Sequence, residues 1–341
     1  MRHSSLIAAI VVMAILGFGR AWGETAPAFG ISYSFFRVDT SKITACPRAD
    51  PIGDGAFLPR YDDPAVRSKV LSDLKTMRDS GLTGMRTLIF FGETEETPGD
   101  WFDSVRDIER APRIVARYAN DVAAAGFKSL FLDYARLGRA SPSCRRQSWG
   151  DCFDSATVSH TLAFVTRIRA ALDAKPALPL VSDISPEGCV ASGTPKGLAE
   201  TLRQYGAAMI AGYKRAFPAD RAAVSCNFEL FAQGGKESID AIFAEAGLKP
   251  DVYLVAAYDR PGVDAETASA ALAQSLRGST VPYIVSETTY GNRPHLDLLL
   301  DRLTSAGRGP EAVYFWPLHD AADHCQVDVA PPYSLDAALG H

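Results

Sequence analysis

Several kinds of segment are missing from this chain. No window is rich in Lys or Arg, and the formal charge is −5. A nucleic-acid partner needs a basic face to neutralise phosphates, so that class is excluded, as is docking on an anionic membrane. Past the N-terminus no apolar run approaches the roughly 20 residues of a membrane span. There is no CxxC pair and no Cys/His spacing of the kind that holds zinc. Neither a GxSxG nucleophile elbow nor a Walker loop occurs, and no low-complexity linker divides the chain. What remains is ordinary globular composition, 47% hydrophobic and 22% charged over 341 residues. That length suits two average domains or one large barrel. Neutral polar ligands become the expected partners.

The N-terminus is set apart. Arg2 and His3 precede an apolar stretch from Leu6 to Phe18, followed by Ala21-Trp22-Gly23, a small-x-small cleavage pattern. Residues 1–23 therefore read as a signal peptide, with an uncleaved anchor as the alternative, and residues 26–341 as one domain in a secreted or periplasmic protein. Export changes the meaning of the six cysteines, Cys46, Cys144, Cys152, Cys189, Cys226 and Cys325, which would meet an oxidising compartment. Fifteen pairings are possible. The hypothesis is that Cys144 pairs with Cys152 inside one loop and the other four staple neighbouring loops or strands.

The rest alternates short apolar, β-rich runs with longer helical patterns. Strands are predicted at Phe29–Phe36, Met85–Phe91, Ser129–Tyr134, Leu178–Ile184, Ala223–Leu230, Val252–Asp259, Tyr283–Thr288 and Ala312–Trp316. Helices are predicted between them. In Pro64–Ser80 the apolar residues Val66, Val70, Leu74 and Met77 make one stripe, and Gly81 supplies a stop. Others are expected at 112–125, 155–174, 195–217, 236–246, 264–277 and 294–306, with a short eighth near 334–339. Thr194-Pro195 reads as an N-cap with proline at the first helical position. Eight such repeats predict a (β/α)8 TIM barrel, because parallel strands need helical crossovers and eight strands close a sheet. The long connections, 37–63, 92–108, 135–154 and 317–333, all follow strands, the side on which barrels carry chemistry. A doubly wound open sheet is the rival, but the first strand lacks its Gly-rich phosphate turn.

Two charged residues stand out against the apolar strands. Glu287 ends the seventh strand, Tyr283-Ile-Val-Ser-Glu287, where a carboxylate is costly unless paired or used. Arg86 lies within the second, Gly84-Met-Arg86-Thr-Leu, and facing inward it demands a carboxylate partner, for which Glu287 is a candidate. The alternative is an outward Arg86 paired with a helix acid. Aromatics flank the expected mouth: Tyr33, Phe91, Trp101, Tyr134, Trp149, Tyr258, Tyr290 and Trp316. Aromatic planes stack on the C–H faces of sugar rings, and Trp316, ending a strand before Pro317, is the best placed. Asp133 and Asp259 end strands three and six, where they could bind hydroxyls or pair with Arg136 or Arg260. His319, Asp320, Asp323 and His324 could be read as a metal site, but histidines are missing from the ends of the other strands that barrel metal sites draw on.

These pieces resemble the clan A (β/α)8 glycoside hydrolases: Phe29-Gly-Ile-Ser-Tyr33, Gly84-Met-Arg86, Ile-Val-Ser-Glu287-Thr and Tyr314-Phe-Trp316. The resemblance implies Glu287 as nucleophile, Arg86 as its orienting partner and Trp316 as a sugar platform. It also implies a glutamate after strand four as acid/base. Glu187 lies there, but Pro186 replaces the asparagine expected before it, and Asp183 and Glu229 remain alternatives for the role. Tyr33, Tyr258, Tyr290, Asp133, Asp183 and Glu229 are the further substrate-binding candidates. Retaining hydrolysis needs one attacking carboxylate and one acid about 5 Å apart. The expectation is a monomeric, cofactor-free enzyme, with no metal, cleaving a poly- or oligosaccharide, with sugar, linkage and endo or exo action left open. A non-catalytic glycan-binding barrel and a metal-dependent hydrolase using the His319–His324 loop are the alternatives.

Overall fold

Eight parallel strands follow one another around a closed circuit in the computed structural model. It describes residues 27–34, 56–92, 101–136, 155–172, 178–194, 196–258, 265–289, 293–305 and 309–316, with 329, 334 and 335. The strands are β1 (Ala28–Ser32), β2 (Gly84–Leu88), β3 (Ser129–Asp133), β4 (Leu180–Asp183), β5 in two halves (Arg221–Ala223 and Ser225–Asn227), β6 (Tyr253–Ala257), β7 (Tyr283–Thr289) and β8 (Ala312–Trp316). Each pairs in parallel with the next, and β8 returns to β1. The break at Val224 lets the first half of β5 pair with β4 and the second half with β6, which completes the TIM barrel. The predicted fifth strand was too long at its end: Phe228–Leu230 is a helical turn, capped by the Asn227 side chain accepting from the Leu230 N–H.

Helices α1 (Pro64–Asp79), α2 (Arg110–Ala124), α3 (Ser155–Leu172), α4 (Lys196–Ala216), α5 (Lys236–Glu245), α6 (Ala265–Leu276) and α7 (Arg293–Ser305) cover the barrel. The expected stripe of α1 is buried against it, and Asp63 caps that helix by accepting from Ala65 N at 2.8 Å, with Pro64 at the first turn. The predicted glycine stops take the left-handed backbone that glycine adopts without steric penalty, with φ of 93° at both Gly81 and Gly126. The eighth helix falls mostly outside the described residues. Ser334 and Leu335 are not helical, and Leu335 is buried.

Alternation along each strand sorts side chains between two cores. Outward residues such as Ile31, Met85, Leu132 and Val285 pack against the helices. Inward ones form a separate cluster that includes Phe131, Val181, Ala223, Leu254, Ile284 and Tyr314. Gly30 and Gly84 make room for the Tyr314 ring: a Cβ on Gly30 would lie 2.4 Å from it. This apolar layer closes the barrel beneath the site.

Candidate active site

One step further along the same strands the inward positions become polar. Phe131 gives way to Asp133, Val181 to Asp183, Gly84 to Arg86 and Gly30 to Ser32. Arg86 is 2% exposed and carries the centre of this layer. Its Nη1 lies 2.5 Å from Glu287 Oε1 and donates to Ser32 Oγ at 3.0 Å, and its Nη2 donates to Asp133 Oδ2. The guanidinium sits over the Phe131 ring at 5.1 Å and the Trp316 ring at 5.7 Å. An inward arginine facing Glu287 was expected; a second carboxylate on it was not. Asp133 is spent on this ion pair, rather than on Arg136.

Glu287 reaches the site through a β-bulge. Val285 is aligned with Val255, but the next aligned pair is Glu287 with Ala256, so Ser286 is an extra residue on β7. Val285 and Thr288 face outward, where Thr288 Oγ1 donates to the Ala257 carbonyl, while Ser286 and Glu287 both face the cavity. The Tyr258 hydroxyl, at the end of β6, donates to Glu287 Oε2. Burial, followed by the charge of Glu287, pushes the Tyr258 phenol well above its ordinary value, so it stays a donor. Glu287 thus has a cation on one oxygen and a hydroxyl on the other.

A cavity of about 520 Å³ opens over this layer, lined by Arg86, Asp133, Arg136, Glu187, Asn227 and Glu287 among others. Glu187 is exposed, and its backbone is left-handed, with φ of 52°, unusual for a residue with a side chain. The turn is held from below: Glu187 N donates to Ser225 Oγ at 2.8 Å, and Cys189 is disulfide-bonded to Cys226 on β5. That disulfide staples a loop to a neighbouring strand, as expected of the cysteines, whereas Cys144 and Cys152 lie outside the described residues.

Some expected site residues are elsewhere. Tyr33 is a correction: it faces α1, not the barrel mouth, and its hydroxyl donates to Asp73 at 2.6 Å. The reason is parity, since Ser32 takes the inward position and Tyr33 the next, outward one. Phe91 is likewise core, stacked on Phe164 of α3 at 4.7 Å. Glu229 sits on the helical turn after β5 and is not among the described residues lining the cavity. Asp183 is 0% exposed, beneath the cavity rather than in it. Tyr290, Trp149, Asp259, His319 and His324 lie outside the described residues. Among those described, no group of acids, histidines and cysteines could hold a metal ion. Sequence reasoning missed Asn227, the bulge at Ser286 and the role of Ser32.

Comparison with solved structures gives this architecture a name. The fold is that of the (β/α)8 glycoside hydrolases. An endo-1,4-β-mannanase from Eisenia fetida is similar with a TM-score of 0.58 at 17% identity, over 88% of each chain. An exo-β-1,4-mannosidase from an Opitutaceae bacterium, strain TAV5, is similar with a TM-score of 0.57 at 14% identity, over 92% of this chain and 59% of that one. A β-1,4-mannanase from the sea hare Aplysia kurodai is similar at 0.53 and 13% identity, over 79% and 89%. This chain therefore spans less than two thirds of the length of the Opitutaceae mannosidase. No protein-family model and no curated protein matches the sequence.

Proposed function

We propose that this protein is a retaining glycoside hydrolase in which Glu287 is the nucleophile and Glu187 the acid/base. The observation that carries the reading is the bulged Glu287, held by Arg86 and Tyr258 on the floor of a cavity that Glu187 also lines. In the first step a Glu287 oxygen attacks the anomeric carbon. The bond to the leaving oxygen breaks as Glu187 gives that oxygen its proton. In the second, Glu187 takes a proton from water, the water oxygen attacks the same carbon, and the bond to Glu287 breaks. Arg86 and Tyr258 hold the carboxylate in line for attack, which is work that a fixed ion pair and hydroxyl do without reorganising. Trp316, beside Arg86, offers its ring to a sugar face.

The named activities of the three similar structures make β-1,4-linked mannan and manno-oligosaccharides the first substrates to try. The N-terminal apolar segment and the Cys189–Cys226 disulfide support a site outside the cytoplasm. Among the described residues no helix is long and apolar enough to cross a membrane.

The test is a panel of polysaccharides and aryl glycosides, assayed with and without chelator. Cleavage unaffected by chelation is expected. Glu287→Gln should lower kcat by at least about 10³-fold with the fold intact, and azide should rescue Glu287→Gly. Full activity in Glu287→Gln ends the assignment. Glycan binding with no cleavage by the native protein would instead support a non-catalytic barrel, a reading favoured by Pro186 before Glu187.

A further inference from the structure

Asp133 on β3 and Asp183 on β4 are register partners on adjacent parallel strands, and both turn into the barrel directly above the Phe131–Val181 pair. Neighbouring strands lie about 4.8 Å apart, so in-register side chains on one face are side by side. Both carboxyls are buried. One oxygen of each is accounted for. Asp133 Oδ2 accepts from Arg86, and Asp183 Oδ1 accepts from the backbone N–H groups of Ser185 and Ser225, each at 3.3 Å. The other oxygens, Asp133 Oδ1 and Asp183 Oδ2, are buried and have no hydrogen-bond partner.

Two orphan oxygens on adjacent acids are the pattern that a shared proton satisfies. Left ionised, both would lose the hydration that a buried carboxylate requires. The charge count agrees, because Arg86 is a single cation already shared between Asp133 and Glu287. A proton on Asp183 Oδ2, donated to Asp133 Oδ1, satisfies both orphans at once.

We propose that Asp133 and Asp183 share one proton, carried on Asp183, and that this carboxyl pair closes a continuous run of hydrogen bonds beneath the cavity. The run leads from Glu287 through Arg86, Asp133 and Asp183 to Ser225, whose Oγ holds the backbone of Glu187. Asp183 is then a positioning residue that ties the Glu287 carboxylate to the backbone of Glu187, a role that rests on the reading of Glu287 and Glu187 above. The proton itself does not rest on it.

The electrostatics of the surroundings run the same way. Burial pushes the Asp183 carboxyl well above the usual range and the neighbouring Asp133 charge adds to this, with Ser225, Arg86 and Ser185 opposing. Asp133 is pushed up only to about 6, by burial first, with Arg86 opposing and the charges of Glu287 and Glu187 adding. Both directions agree with one un-ionised carboxyl in the pair, and the Arg86 ion pair on Asp133 leaves the proton to Asp183.

Infrared spectroscopy of the full chain, isotope-labelled in aspartate, tests the proton directly. At neutral pH the native protein should show the carbonyl stretch of an un-ionised carboxylic acid, and Asp183→Asn should lose it. An absent band, or one that persists unchanged in Asp183→Asn, overturns the proposal. The coupling is read from kinetics on the glycan that the native protein cleaves. Asparagine can accept from Ser225 N and donate to Asp133, so Asp183→Asn should keep kcat within a few-fold. Asp183→Ala, with no donor, should lower kcat by about 10²-fold with KM little changed, as a misplaced catalytic group does. Equal kcat losses in both variants overturn the positioning role. A native protein that shows the band yet cleaves no glycan overturns the hydrolase reading and leaves the shared proton standing.

Discussion

The lower and upper halves of the barrel are built from the same strands and are chemically opposite. Below, Phe131, Val181, Leu254, Ile284 and Tyr314 fill the interior with carbon, and glycines on β1 and β2 yield space to one tyrosine ring. Above, one inward step along β2, β3, β4 and β7, lie Arg86, Asp133, Asp183 and Glu287. The lower layer can be satisfied by any set of apolar groups of the right total volume. The upper layer cannot, because each charge there relies on a particular partner. The apolar layer also serves the charged one: it keeps water from reaching Arg86 from beneath, which strengthens every ion pair the guanidinium makes.

The comparison breaks most sharply at Arg86. Arg86→Ala leaves Asp133 and Glu287 without their cation and should cost about 3–5 kcal/mol in a denaturant titration, the usual range for opening a buried pair. Hydrolysis should fall to background. A well-folded Arg86→Ala with native stability would mean that the upper layer is held by something other than this ion pair. Removal of the Cys189–Cys226 disulfide by the double alanine variant comes next. The loop it closes spans 37 residues, and the loss should be about 2–4 kcal/mol. Because Glu187 lies beside that staple, kcat should drop while KM holds. A lower-layer change of similar kind is milder and should spare catalysis. Gly30→Ala drives a methyl into Tyr314 and should cost about 1–3 kcal/mol by overpacking, with kcat of the folded fraction unaltered.

The two layers were not equally legible in the sequence. The barrel could be read from β-rich runs, helical stripes and glycine stops, because these are local signals and each repeats along the chain. The apolar layer follows from parity once the strands are placed. Arg86 and Glu287 were visible as charges that an apolar strand does not tolerate unpaired. Their surroundings were not. Asp133 on Arg86 and Asp183 beside Asp133 are facts of register between strands some 50 residues apart, and a single strand carries no record of its neighbour's register. The bulge at Ser286 is of the same type: it moves Glu287 by one residue in a way that alternation alone would never suggest. Tyr33 was misplaced for a simpler reason, since Phe29, Ile31 and Tyr33 form the apolar face that meets the helices, and Ser32 belongs to the other.

That last pair of positions offers the finest test of the division between inside and outside. Tyr33 and Tyr258 both follow a barrel strand, and both give their hydroxyl to a carboxylate, Tyr33 to Asp73 of α1 and Tyr258 to Glu287. Replacing either by phenylalanine removes one hydrogen bond to an acid, worth about 1.5–3 kcal/mol where the acceptor is charged. The chemistry of the two losses is the same, and only their location differs. Tyr258→Phe should therefore appear mainly in kcat, about 10-fold or more, because Glu287 would lose the donor that fixes its second oxygen. Tyr33→Phe should appear only as a lower melting temperature, with kcat and KM those of the native protein. Asp73 keeps Lys69 at 2.6 Å in that variant, so the stability loss should fall at the small end of the range. A matching loss of kcat in both variants would place Tyr33 back in the site and undo the parity argument for β1.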